Sequence, residues 1–196
     1  MRTFLRTSLL ILLVLSASAH AEIERPALRA AHAALERTAY TRSYDPAYVR
    51  IAYPNGDPPR DRGVCSDVIV RAFRAAGVDL QKEVHEDMLR NFAAYPHRWG
   101  LGAPDSNIDH RRVPNLMTFF ARRGKSLPVS ARREDYQPGD VVAWDLGGGL
   151  LHVGLVSDVP ASDSGGYAIV HNIGAGARLE DVLLNWKIIG HYRYFR

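Results

Sequence analysis

The chain has 196 residues, 46% of them hydrophobic and 23% charged, a globular profile that excludes a disordered or fibrous protein. Its formal net charge of +4 is too mild to argue for nucleic acid as a partner. A single cysteine excludes an intramolecular disulfide and a multi-cysteine zinc site.

The first residues read as an address. Arg2 and Arg6 precede an apolar run over residues 9–15, and Ala19-His20-Ala21 supplies small residues at a cleavage position. This predicts a signal peptide over residues 1–21 and one domain over residues 22–196. The run is shorter than the ~20 residues of a membrane span, and no later run is long enough. The expectation is a periplasmic or secreted protein, with no stable membrane insertion after cleavage. Exported cysteines usually pair, and Cys65 has no partner in the chain. Such a leftover thiol is either buried and inert or reactive.

Residues 26–41, rich in alanine, leucine and arginine, predict a helix with Pro26 in its first turn. Residues 48–53 (YVRIAY) are β-prone, and Pro54-Asn55-Gly56-Asp57-Pro58-Pro59 is loop. A second helix follows over residues 65–76, where Val68, Ile69, Ala72, Phe73 and Ala76 recur at helical spacing and Gly77 ends the run. Cys65 stands at its start, on the side turned to the core. A third helix is expected over 80–94 and a fourth over 114–123, with a long polar loop over 95–113 between them. Loops of that length in a small domain are usually functional.

After Tyr136 the pattern changes. Residues 140–144 (DVVAW), 151–157 (LHVGLVS), 167–173 (YAIVHNI) and 188–195 (IIGHYRYF) read as strands, with glycine turns between them. Helices first and strands second predict an α+β fold with an antiparallel sheet.

Cys65 is the candidate nucleophile. A helix N-terminus favours thiolate over thiol, and its free N–H groups can hold an oxyanion. Asp67 in the same first turn opposes this unless it caps the helix and points away. His152 is the candidate base, and the neighbouring Gly154 leaves room for another group. If residues 157 and 166 close the hairpin, His152 lies opposite His171, a base and its orienter on one face. A register shifted by one would make Asn172 the orienting group. Cys65, His152 and His171 also suit three zinc ligands, but no H-E-x-x-H or C-x-x-C spacing supports a metal. No cofactor is expected.

The strings Gln137-Pro138-Gly139-Asp140-Val141-Val142 and Leu151-His152-Val153-Gly154-Leu155-Val156 resemble the core of NlpC-type cysteine peptidases. In that superfamily a C-S string starts a helix and the base and third polar residue follow on successive strands. Cys65-Ser66, His152 and His171 fit that order. Gly63-Val64-Cys65-Ser66-Asp67, His85-Glu86-Asp87-Met88, the run from Asn107-Ile108-Asp109-His110 to Asn115, and Val170-His171-Asn172-Ile173-Gly174 resemble a bacterial family known as domain of unknown function 1287. The resemblance runs from about Tyr53 to the C-terminus. It implies a papain-like core and does not name a substrate. Many NlpC-type enzymes carry aspartate just before the nucleophile, to bind a free substrate amine; Val64 stands there instead. Asp57, Asp67 or Asp109 are candidates for that role.

The resulting expectation is a Cys65-His152-His171 hydrolase that cuts an amide in or beside the peptidoglycan peptide stem through a thioester. A non-catalytic wall-binding or regulatory module and an acyltransferase are the alternatives. Asn107, Asp109, His110, Arg111 and Asn172 are further candidates for substrate binding. Arg111 suits substrate carboxylates, against the simpler reading of a loop clamped by internal ion pairs.

Overall fold

The computed structural model describes residues 25–162 and 164–195. The expected signal peptide lies outside them. Helix α1 (Pro26–Arg37) starts with proline and buries Ala30, Ala31 and Ala34, small side chains that let it approach its neighbours closely. Helix α2 (Cys65–Ala75) follows a two-residue parallel pair, β1 (Ser43–Tyr44) and β2 (Arg62–Gly63). Helix α3 (Leu80–Asn91) is capped by Asp79, whose carboxylate accepts the Gln81 N–H. Helix α4 (Val113–Arg122) carries Pro114 in its first turn.

The β-prone stretch over residues 48–53 forms no strand. Its backbone groups are satisfied by side chains instead of a ladder: Asn107 Oδ1 accepts the Ile51 N–H at 2.9 Å, and Gln81 Nε2 donates to the Ala52 carbonyl at 2.8 Å.

Strands β3 (Val141–Asp145), β4 (Leu151–Pro160), β5 (Tyr167–Asn172), β6 (Ala177–Glu180) and β7 (Lys187–Tyr192) form one antiparallel sheet in the order β6-β5-β4-β3-β7. Helices then sheet is the α+β order expected. The polar stretch Ala177–Glu180 has no strand pattern of its own, and it pairs because β5 offers it an edge.

Alternation along the strands gives the sheet two faces. Val141, Ala143, Val153, Leu155, Val170 and Tyr192 pack with Cys65, Ile69, Phe73, Leu116 and Phe120 of the helices. Val142, Trp144, Val156 and Ile169 pack on the other face with Tyr136, Leu183 and, partly buried, Trp186. Among the described residues no helix is long and apolar enough to cross a membrane.

Candidate active site

Cys65 is the first residue of α2 and is 4% exposed. Asp67 does cap the helix: its carboxylate accepts the Val64 N–H at 2.7 Å and the Arg111 Nε–H at 2.9 Å. Burial pushes the Cys65 thiol up to about 11, and the Asp67 charge adds to this. The nearby backbone N–H groups of Val153, Ser66 and Cys65 pull the other way. The helix N-terminus alone leads one to expect a lowered value. Loss of solvation outweighs it here, so at neutral pH Cys65 rests as a thiol.

His152 and His171 do meet. His152 Nε2 and His171 Nδ1 lie 2.9 Å apart, and His171 Nε2 lies 2.8 Å from Glu180 Oε2. The register differs from the one expected: Gly154, not His152, sits directly opposite His171. A shift of two residues keeps every side chain on its face, so the two rings meet diagonally. Gly154 has a specific reason to be glycine. A Cβ there would lie 2.6 Å from Ile169 Cγ2 and 3.2 Å from His171 Cβ.

Trp144, the cross-strand partner of His152, stacks on its ring at 5.8 Å, and Trp186 meets both imidazoles edge-on at 6.0 and 6.1 Å. This apolar enclosure, with the neighbouring His171, pushes His152 down to about 3. Burial lowers His171 as well, partly countered by Glu180. Both rings are therefore neutral at neutral pH.

The cysteine and the histidine pair approach from opposite faces of the sheet. The Val153 backbone N–H is close enough to favour the thiolate, so the sulfur lies near the chain one residue after His152. The β4–β5 pairs begin only at Gly154, which leaves β4 without a β5 partner at this point. No hydrogen bond links the thiol to the His152 ring among the described residues. With Nε2 turned to His171, Nδ1 is the nitrogen left to serve as base.

A cavity of about 480 Å³ opens over Cys65. Tyr44, Arg98, Trp99, Arg112, Leu150 and Leu151 line it, along with Arg111. The Arg112 guanidinium lies 4.2 Å over the Trp99 ring. A larger hollow of about 980 Å³, next to Tyr136 and Arg193, has neither cysteine nor histidine in its wall. Among the described residues no group of three His, Cys, Asp or Glu is placed to hold a metal ion.

Of the residues expected to bind substrate, Arg111 alone lines this cavity, and its fork is taken. Besides Asp67 it donates to the Ala47 and Asp45 carbonyls. Asp57 holds Arg71 at 2.8 Å. Asn107 Nδ2 donates to Tyr48 and Asp105. Asp109 is buried against His85 at 2.9 Å. His110 is fully buried, and neither ring nitrogen has a hydrogen-bond partner among the described residues. Asn172 donates to the Gly63 and Ser43 carbonyls, fixing the chain just ahead of Cys65 instead of orienting His152. Sequence reasoning missed Trp99 as a cavity wall, though the long polar loop that holds it was a signal. Glu180 gave none.

The sequence model of the family described as "Domain of unknown function (DUF1287)" matches residues 31–194. The chain is 58% identical over 168 residues to "Uncharacterized protein YijF" of Escherichia coli (strain K12), covering 86% of this chain and 82% of that one. It is also similar to the solved structures of NlpC1 and NlpC2 from Trichomonas vaginalis. The TM-scores are 0.48 and 0.49 and the identities 13% and 14%, each over 89% of this chain. The chain spans about half the length of each, 47% and 49%.

Proposed function

The chain belongs to the family described as domain of unknown function 1287, and from that premise we propose that it is an exported cysteine hydrolase that cuts an amide bond of peptidoglycan, in or beside the peptide stem. The observation that carries this reading is the start of α2. There a lone cysteine lies close to the backbone of Val153, and the residue before Val153 in β4 is a histidine paired to a second histidine.

In this reading His152 Nδ1 takes the Cys65 proton as sulfur attacks the amide carbon, and returns it to the leaving amine. His171 holds the His152 ring. The N–H groups of Cys65 and Ser66 stabilise the oxyanion. Water then hydrolyses the thioester. Because both partners rest neutral, the thiolate forms only when substrate is present, with proton transfer and attack coupled. The substrate class rests on the expected export and on the cavity. Arg98 and Arg112 at its wall suit the carboxylates of an acidic peptide stem.

The test is release of soluble muropeptides from purified sacculi by the mature chain, beside Cys65→Ala. Release by the first and not the second supports the reading. No release from several wall types sinks it.

The raised thiol pKa favours a second reading, a wall-binding module that keeps the groove without the chemistry. It predicts that Cys65→Ala still sediments with sacculi and still complements a deletion strain.

A further inference from the structure

His152, His171 and Glu180 run diagonally across three adjacent strands, β4, β5 and β6. Gly154 faces His171, and Arg178 faces His171 from the other side. Each of the three residues therefore sits two places from its neighbour's direct partner, on one face, and long side chains bridge that offset. Both links are hydrogen-bond length, 2.9 Å between the imidazoles and 2.8 Å from His171 to the carboxylate.

Two neutral imidazoles that share one hydrogen bond have two equivalent proton arrangements. Either ring donates. The consequences for chemistry are opposite. If His171 Nδ1 carries the proton, His152 Nε2 must accept it, the His152 proton sits on Nδ1, and neither His152 nitrogen is left bare to act as a base. If His152 Nε2 carries the proton, Nδ1 is bare. A third group that only accepts removes the ambiguity. A carboxylate has acceptors and no donor, so His171 must present Nε2–H to Glu180. Its Nδ1 is then the acceptor, and His152 must donate from Nε2. Water at that position could donate or accept equally, and the Glu180 side chain is 39% exposed where His171 is 0%.

We infer that Glu180 is a positioning residue that sets the tautomer of His152 through His171, leaving His152 Nδ1 bare. When Cys65 gives up its proton, that proton goes to His152 Nδ1, and His171 keeps its own. The role in catalysis rests on the reading of Cys65 and His152 given above; the tautomer itself does not.

The experiment uses the mature chain labelled with ¹⁵N-histidine. Two-bond ¹H–¹⁵N correlation spectra at neutral pH report which nitrogen of each ring is protonated. The rings are assigned with His152→Gln and His171→Gln. The expected wild-type spectrum shows both rings as the Nε2–H form. In Glu180→Gln the amide can donate to His171, and His152 should acquire a substantial Nδ1–H population. Glu180→Asp should restore the wild-type pattern. A wild-type His152 protonated on Nδ1 overturns the inference, and so does a Glu180→Gln spectrum indistinguishable from wild type. Thermal melts confirm that the variants fold, which a half-exposed edge residue allows. If sacculi are cleaved, Glu180→Gln should lower kcat by roughly ten- to a hundredfold with KM unchanged, less than loss of the base itself. If they are not cleaved, the hydrolase reading fails while the spectra still decide the tautomer.

Discussion

His171 sits directly across from Gly154, yet its ring meets His152, two residues away along β4. The missing side chain at Gly154 is what lets the ring lie over that position. Gly154→Ala places a methyl 2.6 Å from Ile169 and 3.2 Å from His171. We expect a cost of about 1–3 kcal/mol from overpacking and a weakened His152–His171 bond. Denaturant unfolding together with the histidine spectra checks both. An unchanged unfolding midpoint would show that the strands separate freely at this point.

The thiol prediction follows from burial. With Cys65 pushed up to about 11, the iodoacetamide rate should rise about tenfold per pH unit between pH 7 and 9, with no plateau. A plateau near neutral pH would mean a preformed thiolate, and the coupled proton transfer proposed here would be wrong.

Arg111 and Asp67 are 2% and 1% exposed and lie 2.9 Å apart. Asp67→Asn keeps an acceptor for the Val64 N–H but leaves the Arg111 charge buried without its counter-ion. The expected loss is about 3–5 kcal/mol, read as a fall in the unfolding midpoint. A loss below about 1 kcal/mol would mean that Arg111 relaxes towards the cavity, where it could hold a substrate carboxylate.

His110 gives the protein an acid limit. Burial pushes it down to about 4, below the ordinary ~6.5. Between those values the unfolded chain holds a proton that the folded chain does not. Stability is therefore full above about pH 6.5 and falls as pH drops towards 4. At pH 5 this one residue should cost about 2 kcal/mol relative to pH 7. His110→Leu should lose correspondingly less between those two pH values in urea unfolding. Equal losses in both proteins would remove His110 as the cause. His152 and His171 are shifted the same way, so His110→Leu flattens the profile without abolishing it.

Much of this architecture is local. Helical periodicity in residues 65–76 and alternation in residues 151–157 and 167–173 are enough to place Cys65 at a helix start and both histidines on one sheet face. Parity explains why an error of two residues in the expected register did no harm: a shift of two returns every side chain to its own face. The β-prone stretch over residues 48–53 forms no strand because Asn107 and Gln81, distant in sequence, satisfy its backbone.

The sequence by itself determined the order of elements, the helix-start cysteine and the histidine pair, since periodicity, caps and alternation act within a few residues. Tertiary structure alone decided the rest. It set the protonation of Cys65, because desolvation depends on what packs over the sulfur. It turned Arg111 to Asp67 and two carbonyls, because a buried guanidinium must be satisfied where it lies. And it brought Glu180 to His171, because a short polar strand with no pattern of its own takes its place from the edge that β5 offers.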